Sequence, residues 1–162
     1  AGRSELQIEI DTTSFYDGEL KLGLGSSSAV AIVTAALATD RGDEETLALA
    51  IEGHRDANDG KGSGVDVAAS FYGGVIATRR QPAEVEALPS SIRELSFAVL
   101  FTEKSASTKD LVAACMASKE WPRWSQVLGE LTERGLDAWS RQDASRFLAV
   151  VAEYARAMRG LA

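Results

Sequence analysis

Hydrophobic and polar positions alternate near the start of the chain. Leu6, Ile8 and Ile10 are separated by polar residues, a period of two that predicts a strand over residues 6–13. A turn around Asp17-Gly18 follows. Residues 29–37 read Ala-Val-Ala-Ile-Val-Thr-Ala-Ala-Leu, apolar on nearly every side, which predicts a buried helix capped by the serines before it. A second helix, over 43–58, carries acidic residues in its first turn, where the helix dipole favours them. A short helix over 65–71 is broken by Gly73-Gly74, and a strand over 75–79 follows. Residues 81–91, with Pro82 and Pro89, read as a loop, and 95–101 as another strand. A helix over 107–119, capped by Ser107 or Thr108, is expected to end at Trp121-Pro122. Two more helices, 124–140 and 144–158, read as a hairpin joined near Gln142-Asp143. Strands fall within the first 101 residues and helices dominate the rest, an α+β pattern rather than regular βαβ alternation.

Composition narrows the class. The 162 residues are 45% apolar and 25% charged, as in globular domains. A net charge of −7 argues against a nucleic-acid partner, which usually meets a basic face, but leaves anionic small substrates open. No apolar run reaches the about 18–20 residues that span a bilayer. Residues 1–5 carry no apolar secretion core, so a cytoplasmic location is expected. Cys115 is the one cysteine, which excludes an internal disulfide, and its apolar surroundings predict a buried thiol. The one histidine, His54, argues against a Ser-His-Asp triad or a histidine-rich metal site and reads as a helix-surface or packing residue.

The chemistry concentrates in two glycine–serine segments, Lys21-Leu22-Gly23-Leu24-Gly25-Ser26-Ser27-Ser28-Ala29 and Lys61-Gly62-Ser63-Gly64-Val65-Asp66-Val67-Ala68-Ala69. In the first, glycines let a phosphate approach the backbone, the following helix turns its free N–H groups and positive end toward that spot, and hydroxyls can bind phosphate oxygens or Mg²⁺. A glycine turn with a serine N-cap would read the same way. A Walker loop is absent, and a dinucleotide fingerprint would need glycine where Ser28 stands. In the second segment Asp66 is either an N-cap for the helix that follows or a carboxylate that orients a substrate hydroxyl. Lys61 is close enough in sequence to touch a phosphate or lower the carboxyl's pKa.

Taken together, the two segments resemble the GHMP kinase superfamily. That family's ATP loop, Gly-Leu-Gly-Ser-Ser-Ala, corresponds to Gly23-Leu24-Gly25-Ser26-Ser27 with Ser28 in place of the alanine. Phosphomevalonate kinases are the most similar members. The loop is preceded by Lys21-Leu22 rather than by a proline. The run from His54 through Gly60-Lys61-Gly62-Ser63-Gly64-Val65-Asp66-Val67-Ala68-Ala69 resembles their His…Ala-Gln-Gly-Lys…Gly-Ser-Gly-Phe-Asp-Val-Ala-Ala, and Tyr72-Gly73-Gly74 closes it.

The resemblance implies an α+β, GHMP-kinase-like two-layer fold. Its ATP loop and aspartate would lie in residues 1–80 and the start of a helix-rich part in 81–162. It implies ATP and Mg²⁺ as cofactors. Gly23, Leu24, Gly25, Ser26, Ser27 and Ser28 would wrap the phosphates, with Ser27 as the Mg²⁺ ligand. Asp66 would orient or deprotonate the acceptor. Lys61, Ser63, Gly64, Ser107 and Thr108 would hold an anionic substrate, although Ser107 and Thr108 fit helix capping equally well. The upstream carboxylate that mevalonate kinases use for Mg²⁺ has no counterpart in register, since Arg55 stands there. The resemblance spans about residues 5 to 160, roughly the middle half of such a kinase. Within these 162 residues there is neither a Pro-Gly-Lys-type segment nor a Gly-Ala-Gly-Gly-Gly-Asp-type segment. A piece of that extent is expected to be marginally stable, homodimeric or inactive alone.

The expected activity is transfer of the ATP γ-phosphoryl group to 5-phosphomevalonate. Alternatives are mevalonate as acceptor, a nucleotide-binding but catalytically silent domain, and a helical interaction module built on residues 107–158. Trp121, Trp124, Trp139, Phe147 and Tyr154 fit core packing better than a partner surface.

Overall fold

A computed structural model describes residues 8–39, 42–60, 62–79, 81–89, 91–101 and 108–161. The chain divides into two compact units, one to Ala87 and one from Leu88. The class is α+β: six α-helices and two small two-stranded sheets among the described residues.

The first unit begins differently from the expected strand. Residues 8–12 form no regular element, and Thr13–Phe15 is one 3₁₀ turn. Asp11 is the cause: its Oδ1 accepts the backbone N–H of Thr13 at 2.9 Å and the Thr13 hydroxyl at 2.7 Å, bending the chain out of extended geometry. The expected turn does form. Strands β1 (Tyr16–Asp17) and β2 (Leu20–Lys21) pair antiparallel around it, Tyr16 opposite Lys21.

Helices α1 (Ser26–Ala38), α2 (Asp43–Asp56) and α3 (Val65–Tyr72) pack on one another. Their shared core is Ala35, Leu47, Ala50, Val67 and Ala68, with Ile32, Ile51 and Phe71 against it. Val67 and Ala68 are fully buried. α1 is not buried all round: Val33 and Leu37 are more than half exposed, because α2 and α3 cover one stripe of it. The serines do not cap α1 either. They form its first turn, and Gly25 is the residue before it. Gly73 ends α3 with positive φ, its N–H returning to Ala69 O at 3.0 Å, and the chain enters β3 (Val75–Arg79). Residues 81–88, expected as loop, are strand β4 (Gln81–Leu88), which shares a sheet with β3. Pro82 lies second in that strand, a position where a missing N–H is tolerated, and Val85 packs on the core.

In the second unit, α4 (Thr108–Ala117), α5 (Trp121–Ser140) and α6 (Ala144–Leu161) follow in order. Trp121-Pro122 starts α5 rather than ending α4, since proline suits the first turn where its absent N–H is not needed. α5 and α6 form the expected hairpin. Gln142 takes a positive φ in the connection, and Asp143 Oδ1 accepts the Arg146 N–H at 2.9 Å to cap α6. Leu131, Val150 and Ala157 are its buried seam, flanked by Trp124, Val127 and Leu128. Trp139 is buried, donates its Nε1–H to Pro89 O at 2.7 Å, and meets the Phe147 ring edge-to-face. Tyr154, expected in the core, is exposed, and Cys115 is half-buried rather than buried. The strand expected over 95–101 does not form. No strand among the described residues pairs with it, and Phe97, Val99 and Leu100 are exposed. No helix among the described residues is long and apolar enough to cross a membrane.

Candidate functional site

The site lies in the first unit, where the N-termini of α1 and α3 meet the C-terminal end of α2. α1 starts after Gly25, held in the left-handed region at φ 79°, ψ 26°. Gly23, two residues earlier, has φ 73°. Glycine adopts this backbone without strain, whereas an L side chain costs about 1–2 kcal/mol there. The first intrahelical bond runs from Ala29 N–H to Gly25 O at 3.1 Å. The N–H groups of Ser26, Ser27 and Ser28 therefore have no acceptor within the helix and add to its positive end. Ser26 and Ser28 are buried and Ser27 is exposed. Leu24, between the glycines, is exposed as well. A Cβ at Gly23 would meet nothing within 4 Å, and one at Gly25 only Ser70 Oγ at 4.0 Å, so open space adjoins the turn. Free N–H groups, unobstructed backbone and an exposed hydroxyl fit a polyphosphate.

α3 repeats this entry. Gly64 precedes it in the left-handed region at φ 76°, and its first intrahelical bond is Ala68 N–H to Gly64 O at 2.9 Å. Ser63 Oγ accepts the Val65 N–H at 3.4 Å. Asp66 is the second residue of α3. It is not the N-cap, and its carboxylate reaches another helix: Oδ2 accepts the hydroxyl of Ser28 at 3.0 Å. The two helix N-termini thus share one carboxylate, and both positive ends favour anionic charge beside it.

α2 supplies two residues whose place the sequence did not reveal. His54 Nε2 lies 3.4 Å from Ser27 Oγ and 3.7 Å from Asp66 Oδ2. Its side chain is 14% exposed, against 56% for Asp66, so it is neither a surface group nor mere packing. The available signal was helical spacing, since Leu47, Ala50, Ile51 and His54 fall on one face and the first three form or flank the core. Arg55, at the position where mevalonate kinases carry a metal-binding carboxylate, is an anchor. Its Nε donates to Gly62 O at 3.0 Å, and its own carbonyl accepts the N–H groups of Asn58 at 2.8 Å and Gly60 at 2.9 Å. These bonds hold the turn after α2 from both sides and bring the chain back toward Gly64.

A cleft of about 760 Å³ runs from Ser26 and Ser27 along α1 and α2, lined by Val30, Leu49, Lys21 and His54 among others. Lys61 and Ser107 lie outside the described residues, as does the side chain of Thr108, whose backbone opens α4 in the second unit. Asp66, Ser27 and Ser28 are brought together. Among the described residues no cluster of three or more His, Cys, Asp or Glu is placed to hold a metal ion. The Ser27 hydroxyl and the Asp66 carboxylate are nevertheless oxygen donors beside an anion-favouring turn, the donor type Mg²⁺ takes alongside phosphate oxygens.

No curated protein and no solved structure matches the chain. GHMP kinases are small-molecule phosphotransferases that generally use ATP and Mg²⁺. Residues 3–74, which contain all of this geometry, match the family model of the GHMP kinases N terminal domain, and that match supports the GHMP kinase superfamily.

Proposed function

We propose that the chain carries the phosphoryl-transfer site of an ATP- and Mg²⁺-dependent kinase of the mevalonate pathway, acting on 5-phosphomevalonate to give the diphosphate. The observation that carries the kinase reading is the Ser28–Asp66 hydrogen bond, which holds a carboxylate at the mouth of a phosphate-accepting helix N-terminus. When bound, ATP supplies the phosphoryl group and Mg²⁺ neutralises charge as it transfers. The N–H groups of Ser26, Ser27 and Ser28 bind the phosphates, and the Ser27 hydroxyl is a ligand for the metal. Asp66 orients the acceptor oxygen. A substrate phosphate is already largely ionised at neutral pH, so Asp66 positions it more than it deprotonates it. Ser63 and Gly64, in the turn before Asp66, are the described candidates for holding the anionic substrate.

The choice of acceptor rests on the run Gly62-Ser63-Gly64-Val65-Asp66-Val67-Ala68-Ala69 and on the Lys21-Leu22 approach, both of which resemble phosphomevalonate kinases. Mevalonate is the nearest alternative. Its hydroxyl must lose a proton, so Asp66 would act as general base. The test is ATP turnover with Mg²⁺ and each acceptor in turn. Turnover confined to 5-phosphomevalonate supports the proposal, turnover with mevalonate alone reassigns the acceptor, and ATP binding without turnover favours a silent nucleotide-binding domain.

A further inference from the structure

His54 is the side chain that joins the two segments. It occupies the last turn of α2, on the face that carries Leu47 and Ala50 into the core. Its carbonyl accepts the Asn58 side-chain amide at 2.7 Å, so both its backbone and its ring are held. Nε2 stands 3.4 Å from Ser27 Oγ on α1 and 3.7 Å from Asp66 Oδ2 on α3. We propose that His54 is a positioning residue of the phosphoryl-transfer site, presenting Nε2–H to both Ser27 Oγ and Asp66 Oδ2. The proposal rests on the kinase reading above.

Electrostatics selects the tautomer. An unprotonated Nε2 would set its lone pair against a carboxylate oxygen, whereas Nε2–H reaches Ser27 Oγ and turns its positive end toward the carboxylate. Asp66 Oδ2 already accepts the Ser28 hydroxyl at 3.0 Å. With His54 on its other side, that oxygen faces protein donors from α1 and α2, while Oδ1 has no partner among the described residues. A carboxylate whose side chain is 56% exposed would otherwise sample several rotamers. The Ser28 hydrogen bond and the attraction of His54 Nε2–H, 3.7 Å away, both favour the rotamer seen here, with the second oxygen for the acceptor. The same Nε2–H sets the Ser27 hydroxyl, so its proton and remaining lone pair take fixed directions toward the phosphate turn. Such orientation speeds transfer by holding the reacting groups in register, without any covalent or proton-transfer role for the imidazole.

Two measurements on the full chain test this. Because the chain has one histidine, its imidazole ¹⁵N signals are unambiguous. The expected spectrum is the Nε2–H tautomer, with an Nε2 resonance that moves in Ser27→Ala and in Asp66→Asn. An Nδ1–H tautomer, or a resonance indifferent to both substitutions, overturns the proposal. Kinetically, His54→Leu should lower kcat by roughly tenfold to a hundredfold with the KM for ATP changed less than about twofold. His54→Gln places an amide N–H at similar reach and should recover most of that loss. Wild-type kcat in His54→Leu, or a Gln variant that melts normally yet is as slow as the Leu variant, also overturns it. If the unaltered chain transfers phosphate to no acceptor, the kinase reading fails, and the ¹⁵N spectrum still decides whether His54 orients Asp66.

Discussion

Ser28 and Asp66, 38 residues apart in sequence, are joined by a 3.0 Å hydrogen bond that ties the first turn of α1 to the first turn of α3. Ser28 is nearly inaccessible, at 1% exposure, while Asp66 keeps more than half of its side chain in solvent. The bond therefore orients a wet carboxylate from a dry anchor. Ser28→Ala should cost little stability, about 1 kcal/mol, because water replaces the lost donor at Asp66. It should lower kcat several-fold by freeing the carboxylate. Paired thermal melts and steady-state kinetics check this, and a large Tm loss with unchanged kcat would make the bond purely structural.

Asp66→Asn removes the charge and keeps the shape. Turnover should fall by about 10²-fold or more, with ATP affinity largely retained. The loss should be greater with a hydroxyl acceptor than with a phosphate acceptor, since the former must lose a proton. Unchanged turnover would remove Asp66 from the mechanism.

Gly25→Val should weaken ATP binding by roughly tenfold or more, measured by calorimetry. A Cβ at Gly25 has room, since Ser70 Oγ is 4.0 Å away. The penalty comes instead from φ 79°, about 1–2 kcal/mol of backbone strain, and from a branched side chain where the phosphate must approach. Normal affinity would refute the phosphate-turn reading.

Two glycines of the helical hairpin should respond with opposite signs. A Cβ on Gly160 of α6 would lie 3.0 Å from the Trp124 ring carbons Cη2 and Cζ2, whereas one on Gly129 of α5 meets nothing within 4 Å. Gly129→Ala should stabilise the protein by about 0.5–1 kcal/mol through helix propensity. Gly160→Ala must displace the Trp124 ring, a cost of about 1–3 kcal/mol that outweighs that gain. Chemical denaturation of both variants decides it.

Acid should loosen the same hairpin. Bidentate hydrogen bonds from Arg134, 2.7 and 3.1 Å long, and then its charge hold the Glu153 carboxyl below its usual range. Asp137 is lowered likewise, first by its hydrogen bond from Arg141 and then by the charges of Arg141 and Arg146. A folded-state pKa below the unfolded value adds stability that is fully present above the unfolded value and disappears as pH falls through the folded one. The contribution is thus complete at pH 7 and declines below about pH 4, the ordinary carboxylate range. Both pairs are solvent-exposed, so the effect is small. Glu153→Gln should lower Tm slightly at pH 7 and not at pH 3, as read by melts at the two values.

Local signals in the sequence determined most of the helices. α1 is one long apolar run, α2 opens on three acidic residues, α3 stops at Gly73, and α5 and α6 carry their own periodicity, so each was readable within a window of a few turns. The glycine–serine chemistry was legible for the same reason: free N–H groups and positive φ are properties of a short stretch. Strands were less readable, because pairing is not local. Residues 95–101 have a strand's composition and no partner strand among the described residues, while 81–88 have a proline and a partner in β3. Asp11 overrode the alternation before it with two hydrogen bonds to Thr13. The tertiary structure alone decided that Ser28 serves Asp66, that Arg55 clamps the turn after α2, and that His54 faces Ser27 and Asp66. The Arg55 bond closes a turn of seven residues, whereas the contacts of Ser28 and His54 join separate helices, and only the packing of α1, α2 and α3 brings those side chains together.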